Sequence, residues 1–136
     1  MIDYHNVLTT CPFCGVGCGV NLQVLDGKVV GVLPAKTHPV SRGSLCIKGW
    51  NAHAFIYNPS RLTQPLIRRN GNLQPASWEE ALNLVACRLS EIREQYGPNS
   101  IAFLSSAKAT NEENYVFQKF ARAVIGTNNI DHCARL

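Results

Sequence analysis

Four cysteines constrain this chain more than any other feature. Cys11, Cys14 and Cys18 lie within eight residues, and Cys46 follows after 27 more, which gives the pattern C-x2-C-x3-C-x27-C. No export signal precedes them, and thiols stay reduced in the cytosol, so a disulfide framework is disfavoured. Metal binding or catalysis is therefore the leading interpretation of this cluster of thiols.

The spacing favours an iron–sulfur cluster over zinc. Four thiolates from one tight loop and one distant return can surround a cubane, and the glycines of the loop let the backbone approach it. The alternative is a structural zinc site with four cysteines, but zinc ribbons usually pair two C-x2-C knuckles, and the second knuckle is missing here. Both interpretations stay open on spacing alone.

The segment around these cysteines predicts short strands and tight loops up to about Asn58. Residues 20–25 alternate apolar and polar side chains, Asp26-Gly27 is a favoured two-residue hairpin turn, and the apolar-rich residues 28–33 return as its second strand. A segment of about fifty residues buries only a small core, so a bound metal cluster would supply stability that the core alone does not.

The remainder predicts the start of an α/β layer after a linker with Pro59, Pro65, Gly71 and Pro75. Two capping-box sequences, at 77–80 and 110–113, begin helices that run to about Tyr96 and towards Gly126. Residues 100–105 predict a buried parallel strand, and 129–131 the beginning of the next one. Cys87, within the first helix, is expected to be buried or half-buried.

The predicted fold class is therefore α+β overall, with two parts. Residues 1–58 form a small antiparallel β module that holds the metal group, and residues 59–136 form the beginning of an α/β domain. The net charge of +4 is scattered along the chain, which is typical of a solvated surface and argues against a nucleic-acid footprint. No stretch approaches the roughly 20 apolar residues of a membrane span, and a cytoplasmic location follows as the default.

Several runs resemble a known family. Residues 10–19, together with 38–40 and 43–49, resemble the amino terminus of the molybdopterin oxidoreductase superfamily. Residues 106–115 and 127–136 are similar to formate dehydrogenase catalytic subunits. The resemblance implies a [4Fe–4S] cluster and a bis-molybdopterin guanine dinucleotide with molybdenum or tungsten, which together interconvert formate and carbon dioxide.

The same resemblance implies roles for individual residues. Cys11, Cys14, Cys18 and Cys46 would be the cluster ligands, and Lys48 would relay electrons between the cluster and a pterin. An ammonium two residues from a ligand thiolate can stabilise added electron density.

Lys108 belongs to the loop from Ser105 to Asn111, which the resemblance places near the pterin. An arginine is more usual at this position, and a lysine keeps the positive charge without the bidentate contact that arginine makes with phosphate. The plain alternatives are a surface lysine for Lys48 and an ordinary strand-to-helix connection for the loop. His132 and Cys133 lie near the family's metal position, although a lone histidine or cysteine more often packs.

Expected partners are the remainder of the catalytic subunit, iron–sulfur or other electron-acceptor subunits, and formate or carbon dioxide. The piece alone is expected to be inactive. Rival functions are a nitrate reductase of the same superfamily, a self-contained module of ferredoxin type, and a zinc-stapled interaction domain.

The resemblance also predicts the identity of the residue after Leu136. In such formate dehydrogenases the residue after the Ala-Arg-Leu-like run is the metal's protein ligand, either cysteine or selenocysteine. Selenocysteine uses a codon otherwise read as stop, so the chain is expected to break off where that ligand belongs.

Overall fold

The computed structural model describes residues 1–133. The three residues 134–136, and the predicted metal ligand after them, lie outside the described part. The described residues form two units, one of residues 1–61, 106–115 and 133, the other of residues 62–105 and 116–132. Helices and antiparallel strands are mixed, which confirms the α+β prediction. The domain limits 1–58 and 59–136 stay a prediction.

A three-stranded antiparallel sheet forms the centre of the first unit. It contains β1 (Tyr4–Thr10), β2 (Gly19–Leu25) and β3 (Lys28–Pro34) in that order. Asp26 and Gly27 connect β2 to β3 with φ of 46° and 76°, as a two-residue turn of the predicted kind requires. The predicted hairpin is confirmed.

Strand β1 was not predicted. Its sequence, YHNVLTT, carries no alternation of apolar and polar side chains, and every one of its residues is exposed. It forms because its backbone pairs with β2 in full register, from Tyr4 opposite Leu25 to Thr10 opposite Gly19. The pairing makes residues 11–18 the loop of a β1–β2 hairpin.

The core of the first unit is small and includes candidate metal ligands. Cys11, Val20, Val32 and Ala52 are its buried members. Partly buried residues pack against them, and these are Phe13, Cys18, Leu22 and Leu45. A core of this size stabilises a fold only marginally, because the chain's conformational entropy opposes it.

A short helix follows Cys46 where strands and loops were predicted. Helix α1 (Ile47–Trp50) begins directly after this cysteine, which is its N-cap residue. Gly49 is the buried residue of α1, and a Cβ added there would lie 3.2 Å from the Leu45 side chain. A side chain at this position would therefore require the Leu45 side chain to shift by a few tenths of an ångström.

The second unit opens with a hairpin in place of the predicted linker. Strands β4 (Leu66–Arg69) and β5 (Asn72–Pro75) pair antiparallel. Asn70 and Gly71 connect them with φ of 50° and 81°. The linker prediction was wrong here, because this Asn-Gly turn is a strong hairpin signal that outweighs the flanking prolines.

Helix α2 (Trp78–Tyr96) confirms the first helix prediction at both ends. Ser77 accepts a hydrogen bond from the Glu80 amide at 3.1 Å, and the Gly97 amide donates to the Arg93 carbonyl at 2.9 Å. The Glu80 carboxylate does not complete the capping box, because it accepts from the Arg69 guanidinium instead.

Replacing Ser77 with alanine is expected to lower the stability of the second unit by about 0.5–2 kcal/mol, the usual cost of a lost N-cap. Chemical denaturation followed by circular dichroism measures this change. Ser90→Ala, on an exposed turn of the same helix, is the matched control. Equal effects of the two substitutions would contradict a capping role for Ser77.

The apolar stripe of α2 is largely exposed. Trp78, Leu82 and Val85 expose 67%, 60% and 53% of their surface, whereas Leu89 packs against the core of the second unit. Cys87 is also exposed, so the prediction that it is buried or half-buried was wrong. Helical spacing identified an apolar face, but burial depends on what packs against that face.

The core of the second unit forms around Phe103. Its ring makes edge-to-face contacts with Phe117 and Phe120, at centroid distances of 5.2 and 5.8 Å. Phe103 begins strand β6 (Phe103–Ser106), which is later than predicted because Pro98–Ser100 forms a 3-10 turn. Leu104 is 85% exposed, so the expectation of a wholly buried strand was wrong.

Helix α3 (Asn111–Lys119) begins with the second capping box, which is complete. The Thr110 amide donates to the Glu113 carboxylate at 2.7 Å, and the Glu113 amide donates to the Thr110 hydroxyl at 3.2 Å. A π-helical segment continues α3 to Ile125, and left-handed Gly126 ends it. The predicted next strand is present as β7 (Ile130–Cys133), the neighbour of β6.

No helix among residues 1–133 is both long enough and apolar enough to cross a bilayer.

Candidate metal centre

Three of the four candidate ligands lie on the loop between β1 and β2. The Cys11 amide donates to the Cys18 carbonyl at 2.8 Å, which closes the loop directly beyond the paired strands. Within it the Gly17 amide donates to the Cys14 carbonyl at 3.4 Å, and Gly17 has a φ of 64° that favours glycine. The loop is therefore a compact turn with cysteines at its two ends and near its middle.

The fourth candidate ligand, Cys46, is exposed at the start of α1. Its side chain makes no cap hydrogen bond of standard geometry. The backbone amides of Gly49 and Lys48 nevertheless lie close enough to its sulfur to hold the pKa of the thiol below its ordinary value, and the Lys48 ammonium acts in the same direction. Donors of this kind stabilise a thiolate, the form that binds metals.

Three of the candidate ligands act electrostatically on the fourth, Cys18. Burial raises the pKa of Cys18, and negative charge on Cys11, Cys14 and Cys46 raises it further. Thiolates placed this close together repel one another in the absence of a cation. The structure thus places Cys11, Cys14 and Cys46 within electrostatic range of Cys18, and their assignment as ligands of one metal group stays a prediction.

The donor set fits an iron–sulfur cluster. Within residues 1–133, no three side chains of histidine, cysteine, aspartate or glutamate converge closely enough to hold a single metal ion. A cubane is a larger group that takes one thiolate on each of its four irons. Four neighbouring thiols, with backbone amides close to one of them, match the ligands that such a group requires.

A polar clamp holds the backbone directly after Cys18. The Gly19 amide donates to the Ser41 hydroxyl at 3.2 Å, and the Ser41 amide donates to His38 Nδ1 at 3.4 Å. The His38 ring lies against Gly19, where an added Cβ would be 2.4 Å from the ring carbon Cγ. The sequence alone indicates no role for His38, because no ligand spacing connects it to another histidine.

Gly19→Ala is expected to destabilise the first unit by about 1–3 kcal/mol, the usual cost of overpacking. The added Cβ would lie 2.4 Å from the Cγ and 2.6 Å from the Cβ of His38, closer than side chains pack in proteins. Denaturation of the protein with its metal group bound, followed by the hairpin's hydrogen exchange, measures the loss. Gly27→Ala is an unsuitable control because of its positive φ, whereas Ala54→Ser on the exposed surface is suitable. A Gly19→Ala variant as stable as Ala54→Ser would contradict the close packing of His38 against Gly19.

Lys48 is exposed and belongs to the same surface as the Cys46 sulfur. An open, largely apolar depression adjoins it, lined by Phe13, Ile47, Lys48, Asn51, Ala54 and Phe55. The charge of Lys48 acts on Cys46, as the prediction of an electrostatic role requires. Its part in electron relay stays a prediction.

Lys108 lies on the exposed turn between β6 and α3. Its amide donates to the Ser106 hydroxyl at 3.0 Å, and the Ala109 amide donates to the Ser106 carbonyl at 3.3 Å. The expected position between a strand end and a helix amino terminus is thus observed. Cofactor binding by Lys108 stays a prediction.

Specific polar groups lie close to the Cys133 thiol. Its sulfur lies 3.6 Å from the Ser106 hydroxyl. The amide of Ala107, the hydroxyl of Ser106 and the charge of Lys108 together hold the pKa of this thiol below its ordinary value. The sequence gives no local signal for these contacts, because Cys133 and its partners are separated by more than twenty residues.

Family comparisons match both parts of the chain. The description "Molybdopterin oxidoreductase Fe4S4 domain" matches residues 4–58, and "Molybdopterin oxidoreductase" matches residues 61–136. The chain therefore belongs to the molybdopterin oxidoreductase family. These matches confirm the two predicted cofactor classes, an iron–sulfur cluster and a molybdopterin.

The chain is similar to proteins described as formate dehydrogenase alpha subunits. The chain is 57% identical over 128 residues to "F420-dependent formate dehydrogenase 1 subunit alpha" of Methanococcus maripaludis, covering 94% of this chain and 18% of that subunit. It is 47% identical over 135 residues to the corresponding subunit of Methanocaldococcus jannaschii, covering 99% and 19%. These identities confirm the predicted resemblance, and the chain spans about a fifth of these relatives.

A solved structure shares the fold. Acetylene hydratase from Pelobacter acetylenicus superimposes with a TM-score of 0.76 at 25% identity, over 92% of this chain and 18% of that one. The likeness supports the arrangement of an antiparallel amino-terminal sheet followed by mixed helices and strands.

Proposed function

We propose that this chain is the electron-relay segment of a molybdenum- or tungsten-dependent formate dehydrogenase. Its four neighbouring thiols, on Cys11, Cys14, Cys18 and Cys46, would hold a [4Fe–4S] cluster. The observation that carries the proposal is the placement of these thiols in one unit, in a chain whose relatives are formate dehydrogenase alpha subunits.

The overall reaction sets what the relay must do. Oxidation of formate releases carbon dioxide, one proton and two electrons, and the bound cluster supplies one-electron transfer steps. Cys11 and Cys18 would hold it against the small core, where low solvent access favours a fixed ligand geometry. Cys46 would hold it from α1, and the amides of Gly49 and Lys48 would stabilise the sulfur's negative charge.

Lys48 would favour addition of an electron at the cluster. Its ammonium already acts on the Cys46 sulfur, and a positive charge near a ligand raises the affinity of the whole group for an electron. Its exposed side chain is free to reach an anionic or polar cofactor beside the depression that it lines.

Lys108 would contact the pterin cofactor. It lies on a turn between a strand and a helix amino terminus, a place at which α/β folds bind anionic groups. Because a lysine is a point charge without arginine's planar fork, we expect a single contact with phosphate there.

The proposed partners are the remainder of the catalytic subunit and an electron acceptor. Both relatives named above are described as F420-dependent, which makes coenzyme F420 the first acceptor to test. The proposed location is the cytoplasm, where the six cysteines stay reduced.

Formate-driven reduction of the cluster tests the proposed function. The complete subunit is prepared anaerobically, oxidised, mixed with formate and frozen for electron paramagnetic resonance. Formate is expected to produce the signal of a reduced cluster, and the exposed-cysteine variant Cys87→Ser is expected to behave identically. A cluster that ignores formate, in a subunit that instead reduces nitrate, would contradict the proposal in favour of a nitrate reductase.

A further inference from the structure

Asn111 is bonded directly to the cysteine loop. Its Nδ2 donates to the Gly15 carbonyl at 2.9 Å, although the two residues are 96 positions apart in the chain. Gly15 follows Cys14 and precedes Cys18, so the bond falls between two of the proposed ligands. The bond also joins the loop to the first residue of α3.

The lack of a side chain at Gly15 leaves room for the Asn111 carboxamide. A Cβ added at Gly15 would lie 2.4 Å from Asn111 Oδ1 and 3.1 Å from its Cγ. The carboxamide therefore covers the Cα of Gly15 while it binds the carbonyl of the same residue. A side chain at position 15 would displace the carboxamide and break the hydrogen bond.

Asn111 is itself held on a rigid base. The reciprocal bonds of Thr110 and Glu113 fix the first turn of α3, at 2.7 and 3.2 Å. The Asn114 side chain binds the Ser106 and Thr110 carbonyls, at 3.2 and 3.0 Å. The Asn111 donor is therefore positioned by hydrogen bonds that do not involve the cysteine loop.

The bond fixes the orientation of one peptide group. In a trans peptide the carbonyl and the following amide point in opposite directions, so fixing the Gly15 carbonyl also fixes the Val16 amide. Peptide dipoles and hydrogen bonds around a cluster tune its reduction potential. We propose that Asn111 is a positioning residue that fixes the peptide between Cys14 and Cys18 and thereby sets the potential of the bound cluster.

The proposal rests on the proposed function, because it requires a cluster on the four cysteines. Its test is a potentiometric titration of the cluster in the complete subunit, monitored by electron paramagnetic resonance. Asn111→Asp keeps the shape of the side chain and favours a helix amino terminus, but it removes the donor. We expect Asn111→Asp and Asn111→Ala each to change the ratio of reduced to oxidised cluster at a fixed potential by about three- to tenfold.

A double-mutant cycle separates a positioning effect of Asn111 on the cluster from a general destabilisation of the protein. Gly15→Ala is expected to shift the ratio by a similar factor, and Gly15→Ala combined with Asn111→Ala is expected to add little, since both break the same bond. Gln118→Ala removes an exposed carboxamide further along α3 and is expected to leave the ratio unchanged.

Three results would overturn the proposal. One is an unchanged potential in Asn111→Asp and Asn111→Ala with a full cluster, which would leave the proposed function intact. Another is a set of fully additive shifts from the Gly15 and Asn111 substitutions. A wild-type subunit without iron or sulfide would overturn the proposed function and this inference together. If Gly15→Ala fails to fold, the two Asn111 variants decide alone.

Discussion

Replacing Cys14 with serine in the complete subunit is expected to abolish the visible absorption of the cluster. A serine hydroxyl is a hard ligand that replaces a soft thiolate poorly on iron. The hairpin of β2 and β3 is also expected to lose protection from hydrogen exchange, since the core around Val20 and Val32 is small.

The matched control for this substitution is Cys87→Ser, which changes an exposed cysteine on α2. It is expected to keep the full absorption and the full protection of the hairpin. Hairpin protection that persists in a cluster-free Cys14→Ser protein would contradict the role of the cluster as a staple. An unchanged absorption would contradict the assignment of Cys14 as a ligand.

Lys48→Ala is expected to keep the cluster and the pterin bound but to slow electron transfer between them. The reason is the loss of a positive charge that acts on the Cys46 sulfur. We expect a decrease of roughly 10- to 100-fold, the range for outer-shell partners of metal sites. Rapid-freeze measurement of cluster reduction by formate gives the rate.

Lys48→Arg is the informative companion, because it keeps the charge but changes the shape of the donor. We expect it to retain most of the rate if charge is the main effect. If Lys48→Ala and the wild-type protein reduce the cluster at the same rate, Lys48 is an ordinary surface lysine.

Local chemistry predicted much of this fold. Asp26-Gly27 determined the first hairpin, because these residues tolerate the positive φ of the turn. Ser77 and Thr110 marked the beginnings of α2 and α3, and Gly126 marked the end of the second helical region. Each signal acts within a few residues, which is why sequence alone could reveal it.

Features that depend on distant partners were missed. Strand β1 is held by backbone pairing with β2 and presents no apolar alternation. Cys87 was expected to be buried or half-buried, yet α2 exposes it. The linker that proved to be a hairpin is a different kind of error, since Asn70-Gly71 was a usable local signal.

The candidate site likewise has features that the sequence predicted and features that it did not. Spacing predicted the four cysteines as a set, and in the structure three of them act electrostatically on the fourth, Cys18. Spacing carried no information on the partners that hold the loop. His38 lies against Gly19, and Asn111 binds Gly15 from 96 positions away, so neither contact has a local signature.

Metal and sulfide analysis of the anaerobically purified complete subunit tests the central claim most directly. A [4Fe–4S] cluster on Cys11, Cys14, Cys18 and Cys46 predicts about four iron and about four labile sulfide for this site, beyond any other clusters in the subunit. The difference between the wild-type protein and Cys14→Ser isolates this contribution. A difference of about four iron and four sulfide is the predicted result, and a difference of one zinc with no sulfide would contradict the account.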